Sequence, residues 1–279
     1  NYSARFTLAD SRTKITRYSN PSGLIDGFYA GKYVGEIWGY ETIGIAQSDQ
    51  EMAEHIGRLI NGGQSNLGQD WKAGDIMYKD LNEDGKIDAG SHTLQDHGDL
   101  KRIGNSTPRY NVGLELAADW KGFDIRMFWQ GTLKRDYFQG SYYFWGANGR
   151  QGPWFSTALK GHDDYFRNDE ASPLGTNLNS YYPRPLFNTD KNQQSQTKYL
   201  QDASYLRLKN LQIGYSLPHN IVQKMGMQHL RIFASGENLF TITSLIDFFD
   251  PESIEGGSWG HGNVYPLSRT FSFGLNVTF

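Results

Sequence analysis

The 279-residue sequence predicts an all-β chain: about seven antiparallel strands of a transmembrane β-barrel with long extracellular loops. Three observations predict it. Arg109 to Trp120 and Phe123 to Lys134 alternate apolar and polar side chains over most of their length of about 12 residues, twice the roughly five or six of a common soluble strand. At a barrel tilt roughly 9 to 11 residues cross the hydrocarbon of a bilayer. Tyr110 and Trp120 stand near the two ends of one such strand, where interfacial aromatic girdles lie. Connections are trimmed at one end of the sheet and elaborated at the other, as periplasmic turns and extracellular loops are.

Taken in order, Tyr2, Ala4, Phe6 and Leu8 alternate with polar partners. After the turn-like Ala9-Asp10-Ser11-Arg12 the chain runs extended from Thr13 to Tyr18, so a hairpin is expected. Residues 20–107 form the first long loop, with a helix expected over Gln50 to Leu59 that stops near Asn61-Gly62-Gly63. The hairpin of Arg109–Trp120 and Phe123–Lys134 turns at Lys121-Gly122. Irregular sequence from Arg135 to Gln196 precedes a strand from Ser204 to Ser216, whose alternation changes phase near Lys209-Asn210 and predicts a bulge. A helical turn, Pro218 to Gly226, leads into His229–Thr241. A third loop, Thr243 to Ser268, precedes Arg269–Phe279, where Phe271, Phe273, Leu275, Val277 and Phe279 alternate. If the long loops are outside the cell, this last strand runs inward and places the C-terminus in the periplasm.

An odd set of strands does not close a bacterial single-chain barrel. An unclosed edge would leave amides unpaired in lipid at several kcal/mol each. The remaining strands are therefore expected from elsewhere in a longer chain, and the abrupt start at NYSARFTLAD agrees with that.

The formal charge of −3 and pI near 6.2 offer no clustered basic surface, so nucleic acid is not an expected partner. The absence of cysteine excludes disulfides, thiolate metal sites and cysteine catalysis. No apolar run is long enough for a membrane-crossing helix. No phosphate-cradling glycine loop or nucleophile elbow occurs, and the chain is not expected to be an enzyme. A rival reading is a secreted or surface β-sandwich that binds carbohydrate, in which the alternation reflects one face on a core and one in water.

DLNEDGKID, residues 80–88, has the ligand order of a calcium loop. Asp80, Asn82, Asp84, the Lys86 carbonyl and Asp88 fill its first, third, fifth, seventh and ninth positions, and Gly85 fills the turn. Ser91 occupies the twelfth position, where the bidentate glutamate belongs. With no amphipathic helix pair flanking the loop either, a sensor hand is not expected; a structural divalent cation, Ca2+ or Mg2+, is, with a sixth ligand from Asp96, Asp99 or water, Asp96 ahead of Asp99. The alternative is an acidic turn whose side chains bond their own backbone amides.

Several segments resemble the C-terminal third of SusC/RagA-type TonB-dependent transporters. They are Gly74–Asp88, Ile103–Tyr110, Ala118–Asp124, Tyr205–Pro218, Ser235–Phe240, Asp250-Pro251-Glu252 and Ser272–Phe279. The chain departs from the usual pattern at Glu83 and Ser106. The resemblance implies a 22-stranded outer-membrane barrel filled by a plug that this sequence does not contain. It also implies energy from an inner-membrane TonB complex acting through that plug, a SusD-like surface lipoprotein as partner, and import of glycan oligomers or peptides. On that reading Tyr142, Tyr143, Trp145, Trp154, Tyr181, Tyr182 and Trp259 in the long loops are candidate contacts to substrate or to the lipoprotein lid, or they pack the loops together. Glu115, Asp119, Asp124, Arg126 and Lys134 face the lumen.

Overall fold

A computed structural model of the chain describes residues 1–150, 152–256 and 262–279. In chain order the elements are β1 (Tyr2–Ala9), β2 (Glu36–Tyr40), β3 (Thr42–Ile45), α1 (Asp49–Arg58), β4 (Ile76–Tyr78), β5 (Leu100–Asn105), β6 (Arg109–Trp120) and β7 (Phe123–Lys134). They continue with β8 (Asp136–Phe138), α2 (Tyr142–Trp145), β9 (Leu200–Asp202), β10 (Tyr205–Ser216), α3 (His219–Val222), β11 (His229–Thr243) and β12 (Thr270–Thr278).

The main sheet has six strands in the order β1-β6-β7-β10-β11-β12, antiparallel throughout. The expected hairpin of the first two segments does not form, which brings the expected seven strands to six. Tyr2–Ala9 pairs with β6, Phe6 opposite Leu114, across the whole first loop. Ala9–Arg12 holds no glycine or asparagine for a tight primed turn. The segment after it instead bonds to residues 31–34, through Ile15 N–H to Lys32 O, Gly31 N–H to Ile15 O and Val34 N–H to Thr13 O.

At Lys121-Gly122 both residues take positive φ, 47° and 88°, as a two-residue primed hairpin turn requires. The expected bulge is present, with the register of β10 slipping between Leu208 and Asn210 against both neighbours. The connections following β1, β7 and β11 are the long ones and leave from one end of the sheet. The turns 121–122 and 217–228 close the other end, where β12 also finishes.

Registers carry one face across the sheet. Phe6, Leu114, Trp129, Leu208 and Phe240 lie side by side, as do Trp120, Phe123, Tyr215 and Ile232. Ile213, Ala234 and Phe273 make a further row. Most of this face is uncovered among the described residues: Phe6 is 64% exposed, Trp120 68% and Phe273 85%, while Val112 and Leu208, at 8% each, are buried. The opposite face carries Arg5, Glu115, Asp124, Arg126, Gln130, Gln212, Arg231 and Ser235. A sandwich buries its apolar face under a second sheet; among the described residues no second sheet lies over this face, and they give the sandwich reading no support.

The core lies elsewhere. Ile25, Tyr40, Ile76, Tyr78, Ile87, Phe144, Trp145, Tyr182, Tyr199 and Phe249 are buried together, and all belong to connections rather than to the six long strands. β2 pairs with β5, β3 with β4 and β8 with β9, making small ribbons within this loop layer. The helix α1 starts where Ser48 Oγ accepts from Glu51 N–H at 3.1 Å and buries Met52 against Ala46 and Met77.

Candidate functional site

The first and second long connections are locked together by buried polar groups. Tyr40 N–H donates to Ser195 O (2.8 Å), Thr197 N–H returns to Tyr40 O (3.0 Å), and Ser195 Oγ donates to Trp38 O (2.7 Å). Deeper, the fully buried Asp75 carboxylate accepts from Arg184 Nε (2.7 Å) and Nη2 (2.8 Å), Asn192 Nδ2 (2.9 Å) and Lys72 N–H (3.0 Å), and pairs with Lys191 Nζ at 2.8 Å. Lys191 also donates to the Gln69 and Asp70 carbonyls and lies over the Trp71 ring. Burial by itself raises a carboxyl, but the bonds from Arg184, Lys191 and Asn192 more than offset it and hold Asp75 below the ordinary value. Burial pulls the Lys191 ammonium down despite Asp75 beside it.

Above this network is a cavity of about 230 Å3 whose lining includes Trp145, Leu159, His162, Tyr182, Leu186 and Phe187. Trp145 (6% exposed) and Tyr182 (3%) pack edge to face, ring centroids 6.4 Å apart, with Phe144 and Tyr199 behind them. His162 is spent on structure. Its Nδ1 accepts from Leu159 N–H (2.9 Å), and Nε2 donates to Tyr143 O (3.0 Å) and Phe144 O (3.1 Å). Burial keeps its pKa below the ordinary histidine value. Burial likewise pushes the Tyr182 phenol far up, so it stays protonated.

The expected aromatic contacts therefore separate. Trp145 and Tyr182 line the cavity, Tyr181 packs at right angles on Tyr182 and Tyr199, and Tyr142 and Tyr143 stack on one another at 4.3 Å. Trp154 stands 91% exposed, and Trp259 lies outside the described residues. The rest of the lining, which mixes apolar Leu159, Pro183, Leu186 and Phe187 with polar Asp163, Arg184, Thr189 and Gln193, and the Asp75 network have no spacing signal in the sequence.

The acidic turn is folded as a set of local caps. Asp80 Oδ2 accepts from Gly85 N–H (2.8 Å), Asn82 Oδ1 from Asp84 N–H (3.2 Å) and Asp84 Oδ1 from Lys86 N–H (3.1 Å). Gly85 is needed at φ 80°, where a Cβ would also press on Ile60 and Asn61. Lys86 Nζ sits 2.6 Å from Asp88 Oδ2, whose hydrogen bond, and then its charge, raises the ammonium pKa. Asp96 is engaged with Ser91, accepting from its N–H at 2.9 Å and from its hydroxyl at 2.5 Å. The buried Asp99 instead braces the turn through Leu81 N–H (2.6 Å) and Asp88 N–H (2.9 Å). Burial raises its pKa, and the nearby Asp80 charge adds to that. Among the described residues no group of three or more acidic or histidine side chains converges as a bare metal site. Asp80 Oδ1 is nevertheless buried with no partner, and the candidate donors are all oxygens, the type that Ca2+ and Mg2+ take.

On the polar face of the sheet, Arg231 clasps Asp124 with bonds of 2.8 and 2.5 Å. Arg207, buried, reaches Asp250 Oδ2 and Glu252 Oε1 at 2.8 Å each. Arg135 pairs with Glu255 at 2.6 Å and donates to Pro251 O at 3.3 Å. The Asp250-Pro251-Glu252 turn of the third connection is thereby held against this wall.

No family model matches the chain. It is 30% identical to TonB-dependent receptor P3 of Formosa agariphila over 258 residues, 89% of this chain and 22% of that protein. TonB-dependent receptor P26 of the same organism is 26% identical over 225 residues, covering 74% and 20%. Among solved structures, one of the RagAB peptide transporter superposes with TM-score 0.60 at 21% identity, over 100% of this chain and 27% of the other. The RagAB peptide importer in the 'closed-closed' state gives 0.59 at 20% identity, again over 27% of that chain. The chain thus resembles TonB-dependent receptors over most of its own length and shares its fold with part of a RagAB chain, while spanning about a fifth of the length of the curated relatives it matches.

Proposed function

We propose that the chain is the C-terminal part of the 22-stranded outer-membrane barrel of a SusC/RagA-type TonB-dependent importer of glycan oligomers or peptides. The observation that carries this is the uncovered apolar face running across all six long strands, backed by a charged face. In water such a face has no stable solution; in a bilayer it is the outer wall of a barrel. Remaining strands of the same transporter pair with the open edges of β1 and β12, because edge amides in lipid are not tolerated. The long connections lie outside the cell and β12 finishes in the periplasm. A SusD-like lipoprotein covers the loop layer, and a TonB complex works through the plug. The role is binding and passage, with no catalysis.

The full-length parent, tagged at an extracellular loop, should fractionate with the outer membrane, require detergent and co-purify with a SusD-like lipoprotein whose cargo mass spectrometry identifies. Uptake of that cargo should stop when the inner-membrane proton gradient is collapsed. Purification of the parent without detergent would overturn the assignment.

The acidic turn serves as a divalent-cation staple of the loop layer, using Asp80, Asn82, Asp84, the Lys86 carbonyl and Asp88, with Asp96 or Asp99 completing the set. Unpartnered Asp80 Oδ1 supports it. Calcium at about 100 times its dissociation constant should stabilise the loop layer by about 2.7 kcal/mol, read as a rise in melting temperature that EDTA and Asp80→Ala both abolish. A melting curve indifferent to calcium leaves only a self-capped acidic turn.

A further inference from the structure

At the loop end of the sheet two cations face each other. Arg109 and Lys134 are directly opposite in the β6–β7 ladder, and like charges so placed destabilise a sheet unless something neutralises them. Arg109 is neutralised: its Nη2 donates to Asp10 Oδ2 at 2.6 Å and its Nε to Oδ1. Lys134 is exposed and makes neither an ion pair nor a hydrogen bond among the described residues. Both line a cavity of about 460 Å3 that they share with Arg12 and Arg102. The Arg12 guanidinium carbon sits 3.4 Å from the centroid of the Tyr33 ring, a cation–π contact that fixes it. It too has no ion pair or hydrogen bond among the described residues. Arg102, 60% exposed at its side chain, reaches Glu36 Oε1 only at 3.5 Å. The two carboxylates of the lining are turned to groups of the chain. Glu36, 5% exposed at its side chain, accepts from Tyr29 OH (2.7 Å) and Tyr33 N–H (2.9 Å). Asp136 Oδ2 accepts from Asn105 N–H (2.9 Å) and pairs with no cation among the described residues. Thr107 Oγ1 and Asn105 Nδ2 are also spent, both donating to Val34 O (2.8 and 3.0 Å). Positive charge is what the cavity leaves unmet.

The free donors define the ligand. A guanidinium presents paired N–H groups that fit two oxygens at once, and an ammonium takes a further oxygen as a point charge. A halide gains nothing from the forked geometry, and a carboxylate has one charge and two oxygens for donors on three side chains. A phosphate group brings about two negative charges at neutral pH and an oxygen for each of the three. We propose that Arg12, Arg102 and Lys134 form a site for a phosphate group, free in solution or carried on a lipid headgroup. Such a ligand also supplies the counter-charge that Lys134 lacks opposite Arg109. The site goes beyond the importer reading, and its failure would leave the apolar face of the sheet, and that reading with it, untouched.

The test is a calorimetric titration of the full-length transporter, in uncharged detergent at neutral pH and fixed ionic strength, with inorganic phosphate and separately with chloride. Phosphate should bind saturably and chloride should not. Arg12→Gln and Lys134→Gln should each weaken phosphate roughly tenfold or more, the loss of one charge-assisted hydrogen bond, and Lys134→Arg should restore it. Lys134→Gln also removes the like-charge pair between β6 and β7, so its melting temperature in phosphate-free buffer should not fall, which separates lost binding from lost folding. Lys121→Gln deletes one positive charge at the other end of the sheet and should leave phosphate affinity unchanged. Vesicles distinguish the two sources. If phosphatidylglycerol added to phosphatidylcholine vesicles suppresses phosphate binding, the site takes a lipid headgroup; if affinity is the same in both, it takes phosphate from solution. The proposal is overturned if phosphate gives no more heat than chloride, or if Lys121→Gln weakens binding as much as Lys134→Gln.

Discussion

Asp75→Ala is expected to destabilise the loop layer by about 3–5 kcal/mol, the usual cost of removing one member of a buried ion pair. Lys191, 1% exposed at its side chain, would lose its counter-ion and be left with the Gln69 and Asp70 carbonyls and the Trp71 ring. Arg184 and Asn192 would lose their shared acceptor, and Asn192 also holds Ile76 N–H at 3.0 Å. Amide hydrogen exchange at Ile76 and Tyr78 in the parent transporter checks this: their protection should fall by several orders of magnitude while that of β6 and β7 is unchanged. The same carboxylate gives a pH dependence. Its folded pKa is depressed, so its contribution is complete above the ordinary carboxylate value of about 3.9 and is lost only as pH falls through the lower folded value. Exchange protection at Ile76 should therefore hold through mildly acid conditions and fail below that range. Protection that survives Asp75→Ala would mean that the two connections are held by their apolar contacts alone.

The second large effect separates the two faces of the sheet. Ala234 and Ser235 are neighbours on β11 that point to opposite sides, Ala234 between Ile213 and Phe273, Ser235 between Gln212 and Ser272. Near mid-height of a membrane barrel, Ala234→Arg should cost about 2–4 kcal/mol, because the guanidinium would face acyl chains. Ser235→Arg points to the wetted side and should cost about 1 kcal/mol or less. Folding titrations of the parent barrel into lipid vesicles measure both. Equal costs for the two variants would sink the membrane orientation.

The parts of the fold legible in the sequence are those governed by local repetition. β6, β7, β10, β11 and β12 show the two-residue period for long enough to be read, and the bulge near Lys209 shows as a change of phase. The helix α1 is marked by the Asn61-Gly62-Gly63 stop. The partner of β1 was not legible, because any alternating apolar strand suits it and the one it takes begins a hundred residues away. β2 to β5 are too short, three to six residues each, to display a period.

The candidate site follows the same division. DLNEDGKID is contiguous and readable as an oxygen-rich turn. Trp145 and Tyr182 are readable as aromatic residues, but not as neighbours. Asp75 meets Arg184 and Asn192 across sequence separations of 109 and 117, a distance at which only the folded chain brings an acid and its hydrogen-bond donors together.

The charged side of the sheet has one more consequence. Arg5, Arg109, Arg207 and Arg231 each already hold a carboxylate of this chain. Cations neutralised in this way do not behave like the beads of an ion exchanger. In the importer proposed above, a travelling molecule would meet unpaired positive charge on this stretch at Arg126 and Lys134, which make no ion pair among the described residues, and not at the four neutralised arginines.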